Sequence, residues 1–330
     1  MASPVEGKII LITGGTGSFG QKFTEIALSH NPKVIRIFSR GEHLQQEMER
    51  RFNNDRLRFF IGDIRDKDRL WRAMDGVDIV IHAAALKCVP VAEYNPREAI
   101  LTNISGALNV VDTAIDRKVE RVIGISSDKA VHPVNLYGAT KACMEKLFVQ
   151  ANVYTAGGKT KFSCVRYGNV VSSKGSVIPL WLEQRKIGEL EITDERMTRF
   201  WITLKQGVNF VISCTAAMVG GEVFVPKISS MRVVDLADAI APKCRRRVIG
   251  IRPGEKLHEI LLTEEEARHT REFESYFVIA PEFPFWTEES FMFGGELPDG
   301  FRYSSDTNSQ WLSKEDLRDM VSGEKEISKM

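Results

Sequence analysis

Lys8-Ile9-Ile10-Leu11-Ile12-Thr13-Gly14-Gly15-Thr16-Gly17-Ser18-Phe19-Gly20 is the stretch that decides the fold. Lys8–Thr13 is a short, Ile-rich apolar run, as expected of a strand buried on both faces. Glycines 14, 17 and 20 follow it as G-x-x-G-x-x-G, and Phe19–Ser29 reads as a helix. Glycines there permit a tight turn and a close backbone approach to a pyrophosphate. The helix start then aims its amides and positive dipole end at that anion. A glycine trio alone is a weak signal, but strand before and helix after are the context it requires. Thr16, Ser18 and Phe19, interleaved with the glycines, join the candidate cofactor set.

Outward from this turn, short Val- and Ile-rich runs recur at Val34–Ser39, Leu57–Asp63, Asp78–Ala84, Arg121–Ser127 and Phe162–Val170. Helical stretches such as Arg97–Asp116 separate them. That alternation predicts an α/β fold, a Rossmann-type doubly wound parallel sheet. After Val170 the rhythm breaks into Gly-, Pro- and aromatic-containing loops. A helix is expected near Leu204–Thr215, a strand at Glu222–Lys227 and helices at Val233–Ala241 and Lys314–Val321. The expected division is a dinucleotide-binding Rossmann domain over 1–170 and a smaller α/β substrate-binding lobe over 171–330, some of whose elements return to the first.

Composition narrows the function classes. The 330 residues carry a net charge of +1, with 43% hydrophobic and 27% charged residues, ordinary for a soluble globular protein. Nothing in that balance points to nucleic acid or a membrane surface as partner. Lys243-Cys244-Arg245-Arg246-Arg247 is a local basic run, read as a solvated turn. No apolar run suggests a signal peptide or a membrane span, so a cytoplasmic protein is expected. The five cysteines are scattered, never spaced C-x-x-C, and read as reduced, mostly core, thiols. Neither they nor the histidines offer metal-ligand spacing, and no metal site is expected.

The end of the second strand bears on the cofactor. A carboxylate there would serve the ribose 2′-hydroxyl of NAD; the chain has Ser39-Arg40 instead. A hydroxyl and a guanidinium suit a 2′-phosphate, so NADP is expected. Asp63 and Ile64 close strand three where an adenine edge would lie. Ala83 and Ala84 leave room for the cofactor against the backbone after strand four.

The chemistry concentrates in Ser126-Ser127-Asp128-Lys129-Ala130 and in Tyr137-Gly138-Ala139-Thr140-Lys141. Tyr137 and Lys141 lie four apart on a predicted helix and share a face. A phenol with a solution pKa near 10 is a poor base at neutral pH, but a nearby ammonium and a cationic nicotinamide lower it. Tyr137 can then take a sugar hydroxyl proton while Ser127 holds the same hydroxyl. Plain hydride transfer has no use for Asp128 and Lys129. A 4-keto sugar, however, has an acidic C5 proton, and a base there with an acid at the C6 hydroxyl expels water. Lys129 is the candidate base and Asp128 the candidate acid, with the opposite assignment open.

These residues resemble the extended short-chain dehydrogenase/reductases and, more narrowly, the inverting UDP-N-acetylglucosamine 4,6-dehydratases of pseudaminic acid biosynthesis. The likeness runs over roughly residues 8 to 320. It is carried by TGGTGSFG, HAAALKCVPVAEYNP, SSDKAVHPVNLYGATK, RYGNVVSSKGSVIP, MTRFWITL, GEVFVPKISSM and GIRPGEKLHE. It implies Asp128, Lys129 and Tyr137 as catalytic and Val170 as a further cofactor contact. It also implies Lys87, Asn169, Val177, Arg199, Arg252 and Glu255 as contacts of a nucleotide-sugar substrate, UDP-GlcNAc by family, and a homo-oligomeric assembly. Arg and Lys suit a diphosphate. The chain departs from the family at Ser127, usually Thr, and at Leu44, usually a Lys near the 2′-phosphate. Retaining relatives carry Met where Tyr137 stands, and many are membrane-anchored. Two other readings compete: a nucleotide-sugar 4-epimerase, which has no need of Asp128 and Lys129, and a non-catalytic NADP-sensing regulator on the same fold.

Overall fold

Six short strands bring the glycine turn and the Ser127–Lys141 segment to one edge of a sheet. They are β1 (Ile9–Thr13), β2 (Val34–Ser39), β3 (Leu57–Ile61), β4 (Ile79–His82), β5 (Arg121–Ile125) and β6 (Lys161–Val165). All pair in parallel, in the spatial order 3-2-1-4-5-6. This is the doubly wound order expected from the sequence, and its topological switch point lies between β1 and β4. Every residue of β4 is buried, as both faces are covered by helices. The computed structural model describes residues 3–155, 158–171, 177–285 and 293–327, with side chains as far as Ser322. Ser172–Ser176 of the quoted RYGNVVSSKGSVIP stretch lie outside the described residues.

The first-half helices are α1 (Ser18–Ser29), α2 (Glu42–Phe52), α3 (Lys67–Ala73), α4 (Val89–Tyr94), α5 (Pro96–Ile100), α6 (Gly106–Asp116) and α7 (Leu136–Thr155). The single helix expected over Arg97–Asp116 is α5 and α6 joined by a π-helical segment, Leu101–Ser105. Such bulges have no signature in residue periodicity, and they gather at functional sites. Here it turns Asn103 inward: Oδ1 accepts from the Leu86 amide at 2.8 Å, and Nδ2 donates to the Leu86 carbonyl at 3.0 Å and Thr140 Oγ1 at 2.9 Å. The loop after β4 is thereby tied to α7.

The strand expected over Phe162–Val170 is two. β6 stops at Val165, and β7 (Asn169–Val170) belongs to a different sheet. At Gly168 a Cβ would press on Phe200, so the chain crosses between sheets at the one residue small enough for the approach. Beyond it come α8 (Val177–Ile187), β8 (Glu189–Ile192), β9 (Thr198–Ile202), α9 (Leu204–Ala217), β10 (Val223–Pro226), β11 (Ser230–Arg232), α10 (Val233–Ile240) and β12 (Arg245–Val248). The chain continues through β13 (Ile260–Leu262), α11 (Glu264–Ala267), β14 (Thr270–Glu272), β15 (Tyr276–Ile279), β16 (Gly295–Glu296), β17 (Tyr303–Ser304) and α12 (Lys314–Ile327).

β10 returns to pair in parallel with β6, and β15, β14 and β16 extend the same sheet antiparallel to ten strands. β7, β9 and β11 form a separate small sheet. A second apolar cluster gathers Val171, Ile178, Trp181, Trp201, Met231, Leu236 and Leu317 beneath it. Two sequence expectations need correction. The basic run is a turn only at its start: Lys243 and Cys244 lie in a turn and bend, whereas Arg245, Arg246 and Arg247 lie on β12, paired with β8, and Asp238, Glu189 and Glu191 neutralise two of them. Nor are the cysteines mostly core, since Cys164 and Cys214 are buried whereas Cys88 and Cys143 are exposed.

Candidate active site

A cleft of about 1280 Å³ opens along the C-terminal ends of β1, β4, β5 and β6 and continues between the sheet and the small lobe. Of the residues singled out for cofactor, substrate or chemistry, all but Gly20 line it. Gly20 instead packs on Gly15, where a side chain would collide with the loop backbone. Gly14 needs its glycine twice over. Its φ is +67°, and a Cβ would stand 2.9 Å from the Ala84 backbone. Gly17 opens α1 with no side-chain cap, so the helix start is presented bare toward the cleft. This cradle fits a dinucleotide pyrophosphate.

Ser39 and Arg40 lie at the rim beside Asp63. Arg40 is 68% exposed at its side chain, with Nη1 3.9 Å from Asp63 Oδ2. The Asp63 carboxylate is already held by Arg65, Nη2 at 2.7 Å and Nε at 3.0 Å. Partial burial raises its pKa, but those hydrogen bonds and charges outweigh it and hold it below the usual carboxylate range. Ser39 Oγ accepts from Gln45 Nε2 at 2.9 Å, and the same nitrogen donates to the Ser39 and Phe60 carbonyls. Gln45 thus fixes the end of β2, a role the sequence reading missed.

Deeper in, β5 ends and a single 3₁₀ turn, Asp128–Ala130, follows. Asp128 is fully buried. Its Oδ1 accepts from Ser127 Oγ at 2.6 Å and from Lys129 Nζ at 3.0 Å, while Oδ2 is buried without a partner. Lys129 Nζ also donates to Asn169 Oδ1 at 3.1 Å and lies 3.5 Å from Glu259 Oε1. Asn169 arrives there because β7 leaves the main sheet.

Tyr137 and Lys141 share the buried face of α7. Asn135 Oδ1 caps that helix by accepting from the Gly138 amide at 2.8 Å, and its Nδ2 donates to the Gly254 carbonyl at 2.8 Å. The Arg252–Lys256 loop is tethered to the active face in this way. Lys141 Nζ donates to the Ile125 carbonyl at 2.6 Å, and burial pulls its pKa down to about 8.

Two pKa directions bear on the chemistry. Burial pushes the Tyr137 phenol up to about 12; Lys129 opposes this and Asp128 adds to it. Burial lowers the Lys129 pKa, but the Asp128 and Glu259 carboxylates outweigh it and hold the ammonium above the ordinary lysine value. Lys129, the candidate base, is thus held as a clamped cation.

Arg199, expected on substrate, spends Nη1 on the Thr198 carbonyl (2.7 Å) and the Leu257 carbonyl (3.1 Å), with Nε 3.8 Å from Glu259. Arg252 and Lys87 are exposed at the cleft, and Glu255 Oε2 is buried without a partner. Glu259 and Lys256 were not singled out from the sequence, although both lie in the GIRPGEKLHE stretch. Lys256 Nζ donates to the Val131 carbonyl and stands 3.7 Å from Glu259 Oε2. Among the described residues no cluster of His, Cys, Asp or Glu could hold a metal ion.

Residues 10–281 match the family model described as polysaccharide biosynthesis protein. The chain is 52% identical over 325 residues to a Campylobacter jejuni UDP-N-acetylglucosamine 4,6-dehydratase (inverting), covering 96% of this chain and 97% of that one. It is 43% identical over 281 residues to the UDP-glucose 4-epimerase of Rickettsia canadensis, covering 82% of each. Among solved structures, Pen from Bacillus thuringiensis matches at a TM-score of 0.88 and 37% identity, over 97% of this chain and 99% of that one. The resemblance read from the motifs is borne out.

Proposed function

The chain belongs to the polysaccharide biosynthesis protein family, and we propose that it is an NADP-dependent UDP-N-acetylglucosamine 4,6-dehydratase (inverting). Its product would be UDP-2-acetamido-2,6-dideoxy-β-L-arabino-hex-4-ulose, feeding pseudaminic acid biosynthesis from the cytoplasm, with the protein as a homo-oligomer. The observation that carries this reading is the Lys129 ammonium 3.0 Å from the Asp128 carboxylate, in the same cleft as Tyr137 and Lys141. The similarity to the C. jejuni enzyme over nearly the full length supports it.

The residues that would hold the cofactor are the Gly14–Phe19 turn, Ser39 and Arg40, Asp63 and Ile64, Ala83 and Ala84, Val170, and the Tyr137–Lys141 pair. Bound there, NADP supplies a reversible hydride acceptor for the sugar C4 that returns the hydride at C6. Arg40 favours the 2′-phosphate because the nearest carboxylate, Asp63, is already occupied by Arg65.

Tyr137 Oη takes the proton of the C4 hydroxyl, which Ser127 orients. To do so the phenol must first release its own proton to solvent; for a group this buried that needs added positive charge nearby, which restricts the step to the loaded site. The elimination needs a free amine and a carboxylic acid from a pair that rests as ammonium and carboxylate. One proton moving from Lys129 Nζ to Asp128 Oδ1 makes both. Lys129 Nζ then takes the C5 proton while Asp128 gives its proton to the departing C6 hydroxyl, which leaves as water. The ammonium and carboxylate are thereby restored, Tyr137 keeps the C4 proton as a phenol, and C5 takes one proton from solvent when C6 is reduced. Arg252 and Lys87, exposed cations at the cleft mouth, suit the diphosphate.

The test is incubation of the purified protein with UDP-GlcNAc and NADP⁺ in deuterated water, followed by NMR. A 4-keto-6-deoxy product with deuterium at C5 and an L-configured ring is expected. The similarity to a 4-epimerase favours a second reading. A product epimerised at C4, with protium kept at C5, would replace the first reading with that one.

A further inference from the structure

Glu259 sits at the centre of the charged cluster, and the reaction just described gives it no task. We propose that it is a positioning residue for the elimination: it anchors the Lys129 ammonium between itself, Asp128 and Asn169, and so governs when that nitrogen is free to take the C5 proton. The proposal rests on the dehydratase reading and extends it.

Glu259 is 3% exposed, and three cations surround it: Lys129 Nζ at 3.5 Å and Arg199 Nε at 3.8 Å from Oε1, and Lys256 Nζ at 3.7 Å from Oε2. Oε2 is buried with no hydrogen-bond partner. A carboxylate buried so deeply, in ion-pair contact with three cations yet incompletely hydrogen-bonded, acts mainly through its charge. Its backbone is held firmly. The Glu259 amide donates to Ser305 Oγ at 2.9 Å, the Ser305 amide donates to the Glu259 carbonyl at 2.8 Å, and Ser305 Oγ meets Thr198 Oγ1 at 2.7 Å. The segment after β17 thus braces the residue that faces Lys129.

The ionisable groups facing Lys129 are Asp128 beside it, Tyr137 from α7, Arg199 from β9, and Lys256 and Glu259 from the loop before β13. Two are anions and two are cations besides Lys129 itself. Removing the Glu259 charge leaves Lys129, Lys256 and Arg199 facing Asp128 alone, which favours the free amine. Because the loss is of charge and not of shape, Glu259→Gln isolates it, and Glu259→Asp restores it.

The experiment has two arms. In the first, wild-type and variant proteins carry ¹³C-lysine, with the Lys129 signal assigned by its absence in Lys129→Arg, and are titrated by NMR without substrate. Wild-type Lys129 should titrate above the free-lysine value of about 10.4. In Glu259→Gln its midpoint should fall by about one to three pH units, the usual effect of one close opposite charge. In the second arm, the base-side limb of C5 exchange against pH should move to lower pH in Glu259→Gln by a comparable amount and return in Glu259→Asp. An unmoved titration and limb in a folded Glu259→Gln protein would overturn the proposal. If that variant does not fold, a wild-type Lys129 midpoint at or below the free value overturns it equally. A wild type that shows Glu259-dependent titration but no C5 exchange would sink the dehydratase reading and leave Glu259's control of Lys129 standing.

Discussion

At the scale of single residues, the proposed dehydratase reading turns on Lys129, for which an epimerase would have no need. Lys129→Met should block elimination while leaving the Tyr137–Lys141 pair, and hence C4 oxidation, in place. Overall turnover should drop by roughly 10²–10⁴-fold, the range for a general acid–base group. Deuterium should stop entering C5; exchange near the wild-type rate would move the base elsewhere, with Asp128 next in line. On the proposed reading Arg40 would carry a preference for NADP. Arg40→Ala should narrow the advantage of NADP(H) over NAD(H) by about 1–3 kcal/mol, the worth of hydrogen bonds to a charged group; equal wild-type affinities by titration would remove the argument. Asp128, Lys129, Tyr137 and Arg40 were legible because each is a chemically loaded residue at a strand end or helix start. Gln45, Asn103, Lys256 and Glu259 were not. Their importance comes from partners 15, 17, 125 and 130 positions away, and spacing along the chain does not encode those.

At the scale of elements, β4 shows how a strand can be read correctly and one of its side chains overlooked. His82 ends the strand fully buried, with Nδ1 2.9 Å from Thr13 Oγ1 and its ring stacked on Phe148. Burial pulls its pKa down to about 3, and the Lys141 charge pushes the same way. The unfolded chain, with an ordinary histidine near 6.5, binds the proton first. The contribution is therefore complete above about pH 6.5 and is lost progressively as pH falls toward 3. Urea midpoints should decline over that window, and His82→Gln should flatten the decline; an identical slope in both proteins would assign it to other groups. The parallel strands of the first half were legible from their apolar runs. The π-helical bulge and the break after Val165 were not, because tertiary contacts impose both: Asn103 on the Leu86 loop and Gly168 against Phe200.

At the scale of the whole molecule, the first-half order of the sheet followed from alternation, whereas its extension did not. Glu222–Lys227 reads as a strand in the sequence, yet nothing local says that it will lie beside β6. The register places Val223 opposite Cys164 and Phe224 opposite Val165, and three antiparallel strands then cover the far side. A fragment ending at Val171 would keep the glycine turn, Asp128, Lys129 and Tyr137. It would also present β6 as a bare, apolar edge. Such a fragment should partition into the insoluble fraction on expression; a soluble, cooperatively unfolding monomer would contradict this. The same register has a consequence during synthesis. Ribosomes add roughly 5–20 residues per second, and on the order of 60 residues separate β6 from its neighbour β10. For several seconds the nascent chain carries an adhesive ribbon with no mate, and that interval is when a chaperone would have most to do.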